Sequence, residues 1–272
     1  MPAPTIEATF IEEFESEVHV AYQRMGSKLR NTMRSKPVKS KRVHFPKYGT
    51  FEAQQKPRHA DISPQNAEHT RVYADPVDYF AGDYIDNVDE IKTNLAERQL
   101  ASQGIAMAFG RKIDEVATTV MDGATNTTVH GSAGLTAAKI NTVFEDFGNN
   151  EVPDDGRRFW AVSHAAWVDL LAIDAFTQAE YVGYDQLPYR SGMTAKRWMS
   201  FMFFAFSGLP ISSTTRKTFA YHYSAIGMAY NEEPQVDIDW IPVKRSWFAG
   251  GELALGGVII DNTGLYEVQI TE

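Results

Sequence analysis

The chain has 272 residues, an apolar fraction of 43% and a net charge of -9 at pH 7, enough for one large or two small domains with a sizeable core. It contains no cysteine, which excludes disulfides, thiolate zinc sites and cysteine nucleophiles. No apolar run approaches the ~20 residues of a membrane-spanning helix. The first residues lack the pattern of a signal peptide. We therefore expect neither membrane insertion nor secretion.

The charge reverses sharply near the start of the chain. Residues 1–22 carry five Glu and no Lys or Arg, whereas residues 23–42 carry no acid and eight bases: Arg24, Lys28, Arg30, Arg34, Lys36, Lys39, Lys41 and Arg42. A basic block on an acidic chain is expected to meet a negative surface, which is either nucleic acid or an acidic protein face. The alternative is a solvated arm. Apolar spacing predicts a helix over 8–29, and 34–42 is predicted to be extended.

Residues 43–85 predict a projecting β-hairpin. Two aromatic and β-branched runs, 43–51 and 71–84, flank a polar stretch over 54–64. Such a long connection is typical of functional or mobile loops. The tip residues that we expect to contact another subunit are Gln54, Lys56, Arg58 and His59.

Residues 87–123 give the strongest helix signal. Asn87 is a suitable N-cap, Glu90 follows as in a capping box, and Gly123 is a suitable end. A helix of ~33 residues would be roughly 50 Å long. Gly104 and Gly110 are expected to bend it or to allow close packing.

The rest of the chain mixes short helices and strands, so the fold class is α+β. We predict a loop over 124–134, a helix over 136–147 capped by Thr136, and a strand over 158–163 whose Ser163 caps a helix over 164–173. Residues 176–196 are predicted to be irregular, and 235–243 alternates like a strand. Residues 247–257 are predicted to be a short helix or turn, with final strands at 258–260 and 265–270.

Motif searches find no catalytic, cofactor or metal site. The sequence has no phosphate loop, GxGxxG, HExxH, GxSxG or EF-hand pattern. The seven His residues are scattered, and Ser163-His164 is better explained as a helix cap beside a helix residue. Acidic pairs at 154–155, 232–233 and 237/239 fit solvated turns or an exposed strand face better than acid–base or Mg²⁺ sites. We therefore predict no enzyme and no cofactor.

The order of parts resembles the major capsid proteins of tailed bacteriophages, which have the Hong Kong 97-type shell fold. The resemblance rests on the arm, hairpin and long helix in that order. It also rests on several short stretches that are similar to family members: Ala108–Asp114, Phe159–Ser163 followed by Ala166-Trp167, Ala225–Ala229 and Gly256–Val258.

The resemblance implies an N-terminal arm at 1–42, an extended loop at 43–86, a peripheral domain with the spine helix at 87–134 and 232–272, and an axial domain at 135–231. It implies a virion protein, assembled in the host cytoplasm, that forms pentamers and hexamers around double-stranded DNA bound non-specifically. A portal, a separate scaffolding protein and a decoration protein are the further partners it suggests, and no membrane is expected. Lys47 and Lys56 lie where some relatives cross-link subunits, but no motif identifies an acceptor.

Two other readings stay open at this point. A cellular nanocompartment shell shares this fold and encloses an enzyme instead of DNA, and a soluble α+β enzyme or binding module with an unrecognised site is the third reading. For the basic arm, an acidic neighbouring subunit is favoured over DNA, because a chain of charge -9 is poorly suited to bind DNA over a whole inner surface.

Overall fold

The computed structural model describes residues 26–53, 55–56, 58, 68–86, 97–177, 195–231 and 236–272. Most of the predicted arm helix over 8–29, and the capping pair Asn87 and Glu90, lie outside these residues. Residues 26–29 are described and are not helical; a short 3-10 helix follows at Arg30–Thr32.

The described elements comprise fourteen strands and four α-helices. The strands are β1 (Arg34–Pro37), β2 (Val43–Tyr48), β3 (His69–Ala74), β4 (Val77–Asp86), β5 (Asn126–Thr128), β6 (Arg158–Val162), β7 (Ala195–Trp198), β8 (Phe201–Ala205), β9 (Ile211–Ser212), β10 (Thr215–His222), β11 (Ile226–Tyr230), β12 (Val236–Ile241), β13 (Ser246–Ile259) and β14 (Leu265–Thr271). The helices are α1 (Glu97–Met121), α2 (Ala137–Asn149), α3 (His164–Leu171) and α4 (Asp174–Thr177).

A five-stranded sheet is built around β13. One edge of β13 pairs with β4 over ten residues, and the other edge pairs first with β12 and then with β11, which also holds β1 in parallel. The predicted helix or turn over 247–257 is therefore wrong, because this segment is the central strand of the sheet.

The glycines that suggested a turn in β13 are places of close approach. A Cβ at Gly250 would lie 2.5 Å from the Phe248 ring, and one at Gly256 would lie 2.8 Å from the carbonyl oxygen of Asp75. Glycine inside a strand often marks such an approach by a ring or another backbone. The pairing of β13 along both edges outweighs its poor intrinsic strand propensity.

The hairpin is confirmed, but it is shorter than predicted. β2 and β3 pair antiparallel from Val43 opposite Ala74 to Tyr48 opposite His69. Strand β3 ends before Asp75-Pro76, and the chain then continues as β4, which pairs with β13 instead of with β2. The second predicted run over 71–84 therefore belongs to two sheets, since Pro76 has no N–H to continue a ladder.

A seven-stranded sheet forms the second half of the molecule. Its strand order is β5-β14-β10-β6-β8-β7, with β9 beside β10. Thr136 accepts the N–H of Lys139 at the start of α2, and Ser163 accepts the N–H of Ala166 at the start of α3, as predicted. Trp160 at the centre of this sheet is fully buried against Phe201 and Phe203.

The strand pairing departs from the inferred domain bounds at three strands. Short strand β5, inside the predicted loop 124–134, and the last strand β14 both lie in the seven-stranded sheet, whereas β11 lies in the five-stranded sheet. β14 pairs with β10 over seven residues, so its hydrogen bonds tie it to that sheet. The bounds 87–134 with 232–272 and 135–231 remain a proposal.

Helix α1 packs between the two sheets. Its buried face carries Ile105, Phe109, Ile113, Ala117 and Met121, and the same apolar cluster includes residues of β10, β11 and β13. The predicted start at Asn87 lies outside the described residues, and the described end, Met121, lies two residues before Gly123. Within the described part of the chain, no helix is long and apolar enough to cross a membrane.

Candidate assembly surfaces

The end of the arm is held by one buried carboxylate. Asp114 in α1 is 0% exposed. It accepts hydrogen bonds from the Ser27 hydroxyl at 2.5 Å and from the N–H groups of Lys28 and Leu29 at 3.2 and 3.1 Å. We call this contact the arm anchor. It fixes the chain immediately before the hairpin to the helix that joins the two sheets.

Gly110 lets the arm cross α1 at this point. A Cβ at Gly110 would lie 2.6 Å from the carbonyl carbon of Gly26, which is nearer than side chains come to backbone. Gly104 has nothing within 4 Å of such a Cβ, so only Gly110 of the two predicted glycines is explained by close packing.

Several bases of the basic block contact groups within this chain. The Lys28 ammonium donates to the carbonyl oxygen of Ala205 at 3.2 Å, and the Arg30 guanidinium lies 4.7 Å from the Tyr230 ring centre. Arg34 and Lys36 lie 5.9 and 5.1 Å from the ring centre of Phe45.

The remaining bases of the block differ in their surroundings. Arg42 makes a 2.9 Å ion pair with Asp75 and lies 4.5 Å from the Tyr73 ring centre. Lys39 and Lys41 are exposed, and Arg24 lies outside the described residues. The block is therefore spread over the arm anchor and the base of the hairpin instead of forming one continuous basic stripe.

The outer end of the hairpin is exposed. Tyr48 and Phe51 are 69% and 68% exposed, and Lys56 and Arg58 are exposed as well. The predicted contacts Gln54 and His59 lie outside the described residues. Large exposed aromatic side chains on a projecting ribbon are typical of a protein–protein contact.

An ion pair fixes the hairpin to the loop between the two sheets. The Lys47 ammonium lies 2.6 Å from a carboxylate oxygen of Asp261. Burial alone would raise the pKa of Asp261, but hydrogen bonds from Lys47 and Thr263 outweigh it and lower that pKa below its usual 3.8. The pair joins β2 to the connection between β13 and β14.

We expect this ion pair to make the hairpin acid-sensitive. Because folding lowers the pKa of Asp261, its stabilising contribution is present above pH 3.8 and is lost as the pH falls below that value. Amide-exchange protection of β2 should therefore fall as the pH drops below 3.8 and through the lower pKa of Asp261 in the folded protein. Asp261→Asn should reduce this pH dependence, and Asp78→Asn, at an exposed acid of β4, should leave it unchanged. An equal pH dependence in wild type and Asp261→Asn would contradict the assignment.

A groove lies on the face of the five-stranded sheet that points away from α1. Its volume is about 660 Å³. Phe80 and Phe248 stack there with ring centres 6.1 Å apart. Residues 37–39, Asn231, Asp237, Asp239, Gly250, Gly251 and Glu252 complete the lining. We call it the aromatic groove. The groove was not predicted from the sequence, in which the alternation at 237/239 and the pair Gly250-Gly251 are its signals.

The polar group around His222 is explained by a structural role. His222 Nε2 lies 3.0 Å from Asp155 and Nδ1 lies 2.7 Å from the Ser224 hydroxyl, which resembles a triad. The same Nδ1, however, accepts the backbone N–H of Ser224 at 3.3 Å, so the group closes a turn. The hydrogen bond from His222 lowers the pKa of Asp155. Within the described residues no group of three or more His, Asp or Glu side chains is placed to hold a metal ion.

Comparisons with known proteins agree with this arrangement of parts. A model of the family described as phage capsid protein matches residues 6–272. A search of curated protein sequences found no significant match.

Solved capsid structures share the fold at low sequence identity. The capsid of cyanophage P-SCSP1u is 13% identical with a TM-score of 0.75, covering 97% of this chain and 94% of that one. A Mycobacterium phage Che8 structure is 15% identical with a TM-score of 0.73, covering 96% and 97%. The head structure of Helicobacter pylori bacteriophage KHP40 is 10% identical with a TM-score of 0.74, covering 95% and 94%.

The family match spans nearly the whole chain, and the fold match to the cyanophage capsid covers 97% of it. The chain therefore belongs to the phage capsid protein family, and it is a structural, non-enzymatic capsid subunit with the Hong Kong 97-type shell fold.

Proposed function

We propose that this major capsid protein self-assembles through pentamers and hexamers into an icosahedral head that encloses double-stranded DNA. Assembly takes place in the host cytoplasm, with a portal and a separate scaffolding protein as partners. The hairpin lies across one neighbouring subunit and the arm contacts another. The observation that carries the proposal is the hairpin, because its outer aromatic side chains, Tyr48 and Phe51, are exposed.

The exposed hairpin supports assembly on energetic grounds. A two-stranded ribbon is marginally stable by itself in water. Here only the base is buried, through Phe45, while Tyr48 and Phe51 extend beyond the body. Covering each aromatic side chain with a neighbour would contribute up to about 2 kcal/mol. A repeated symmetric contact would multiply that gain over many copies.

The basic block is assigned mainly to protein contacts. Lys28, Arg30 and Arg42 already contact a carbonyl, an aromatic ring and a carboxylate of the same chain. Such groups are less available to phosphates, and the whole chain is acidic. Any contact with packaged DNA is then non-specific and weakened by salt.

Electron microscopy of the expressed protein tests the proposal directly. The chain, alone and with its scaffolding protein, should form closed particles of uniform size. Nuclease-protected DNA inside particles purified from infected cells would support a head, and an enclosed enzyme without DNA would support a nanocompartment. A protein that stays monomeric under all conditions would overturn the proposed assembly.

Salt titration separates the two roles of the basic block. The isolated subunit should bind double-stranded DNA weakly, with an affinity that falls as salt rises. No measurable binding even at low salt would remove DNA as a partner of the arm and leave subunit contacts alone.

A further inference from the structure

We propose that the aromatic groove is the docking site for the basic outer end of the hairpin, residues 53–60, of a second copy of this chain. This inference rests on the proposed assembly and names the surface that receives the hairpin. The groove combines an apolar floor with an acidic rim, and the hairpin end offers complementary groups. Within the described part of the chain, no residue of the hairpin lines the groove.

The rim of the groove is acidic. Asp237 and Asp239 stand opposite Gly250 and Phe248 in the sheet, which places both carboxylates on the groove face. Glu252 lies on the same face, opposite Phe80 of β4. Against these three carboxylates, the described lining residues include one base, Lys39.

The floor of the groove is apolar and partly open. Phe80 is 64% exposed although it stacks on Phe248. Gly82 and Gly250 lie beneath these rings, where any Cβ would come within 2.9 Å of ring atoms. Because the sheet has no side chains at these two positions, the Phe80 and Phe248 rings pack directly against its backbone. The groove is the space beside these rings. An open aromatic surface bounded by charges is typical of a docking site.

The hairpin of the same chain points away from its own groove. Phe45 packs beside Val258 near the end of β13, and Lys47, two residues further towards the tip, pairs with Asp261 beyond that strand. The groove lies at Gly250, eight residues before Val258, which is roughly 26 Å along a strand. The described part of β2 thus runs away from the groove of its own chain, and we infer that the hairpin end docks on another copy.

Charge and exposure favour the hairpin end as the occupant. Residues 53–60 contain Lys56, Arg58 and His59, with Glu52 and Asp61 just outside this stretch. The more basic block before the hairpin already contacts its own chain through Lys28, Arg30 and Arg42. Residues 1–22 carry five Glu and would be repelled by the acidic rim, as would DNA phosphates. Phe51, 68% exposed and just before this stretch, supplies an aromatic side chain for the floor.

Charge reversal tests the pairing. Asp237→Lys with Asp239→Lys, and separately Lys56→Glu with Arg58→Glu, should each lower the particle yield about tenfold or more. Combining all four changes should restore most of the yield, because the ion pairs are rebuilt with opposite sign. Circular dichroism and thermal unfolding of unassembled subunits must match wild type, since all four sites are exposed. Wild-type yield in either pair, or no restoration in the combined variant, would overturn the inference.

An engineered disulfide gives an independent test. The chain has no cysteine of its own, so Arg58→Cys with Asp239→Cys places thiols only at the two sides of the proposed contact, and each single variant controls for pairing of like thiols. Mild oxidation should link copies into dimers and longer ladders on a non-reducing gel. The control, Arg58→Cys with Val168→Cys, places the second thiol on an exposed position of α3 and should give no ladder.

The two tests separate failure of the inference from failure of the proposed function. Wild-type particles without the Arg58–Asp239 cross-link would leave assembly intact and overturn the groove assignment. If wild type forms no particles, the assembly proposal fails, and the groove is then judged by whether the cross-link forms in concentrated subunit solution.

Discussion

Replacing Asp114 by Ala is expected to lower the free energy of unfolding by about 3 kcal/mol or more. The side chain is fully buried and accepts hydrogen bonds from Ser27, Lys28 and Leu29. Removing it leaves the buried N–H of Leu29 without this acceptor, and each such loss costs about 1–3 kcal/mol. Urea unfolding of the unassembled subunit measures the change.

The same substitution should release the arm before the body unfolds. Leu29 is buried in the apolar cluster of α1, but the hydrogen bonds that join residues 27–29 to the helix all end on Asp114. Trypsin should therefore cut Asp114→Ala after Lys28 or Arg30 under native conditions, where wild type resists. Particle yield should fall as well, because the arm is the predicted contact with a neighbour.

Glu115→Ala is the matched control for Asp114→Ala. Glu115 is the next residue in the same helix, its side chain is 65% exposed, and its ion pair with Lys112 is of the solvated kind that contributes little. It should change the free energy of unfolding by no more than about 0.5 kcal/mol, and it should leave trypsin cleavage of the arm unchanged. Equal losses from the two substitutions would contradict the arm anchor, because Ala has the higher helix propensity at both positions and cannot by itself cause a loss.

Local signals in the sequence predicted local structure well. Thr136 and Ser163 cap helices as expected, because a cap depends only on a side chain and N–H groups three residues away. The hairpin also follows from two strand-forming runs that succeed each other along the chain. These elements in order were enough for the resemblance to a capsid fold.

Elements that depend on distant contacts were predicted less well. The run 247–257 is glycine-rich and has weak strand propensity, and it becomes a strand because β4, β11 and β12 pair along its edges. Asp75-Pro76 was not recognised as the break in the hairpin, since nothing near it in sequence shows that β4 pairs with β13. β14 was likewise assigned without knowledge of its partner β10.

The basic block was a strong signal whose meaning depended on the fold. Eight bases without an acid suggested one continuous surface, but Lys28 and Arg42 point to different partners, Ala205 and Asp75. The groove was missed for the opposite reason. Asp237 and Asp239 are far in sequence from Phe80, and only strand pairing through β13 puts them on one face.

Replacing Phe45 by Ala is expected to free the hairpin while leaving the body folded. Phe45 is 0% exposed and packs with Val43, Ala74 and Ala229. Truncating a buried Phe costs about 3–5 kcal/mol. The remaining tie near the hairpin's outer part is the partly exposed Lys47–Asp261 pair, which contributes less than the buried Phe45 ring. We expect the loss to appear as local opening of β2 and β3, since local unfolding can occur well below the global free energy.

Hydrogen exchange and particle yield measure the two consequences of Phe45→Ala. Exchange of the β2 and β3 amides should accelerate about a hundredfold, as a loss near 3 kcal/mol requires, while amides around Trp160 in the seven-stranded sheet keep wild-type protection. Particle yield should fall sharply, because a free hairpin must be ordered again before it can dock.

Tyr48→Ala is the control. It removes an aromatic side chain of the same strand, Tyr48, which is 69% exposed, and it should leave exchange in the subunit unchanged. If Phe45→Ala instead lowers protection equally in both sheets, the hairpin is part of one cooperative unit with the body, and its role as a separately ordered assembly element is contradicted.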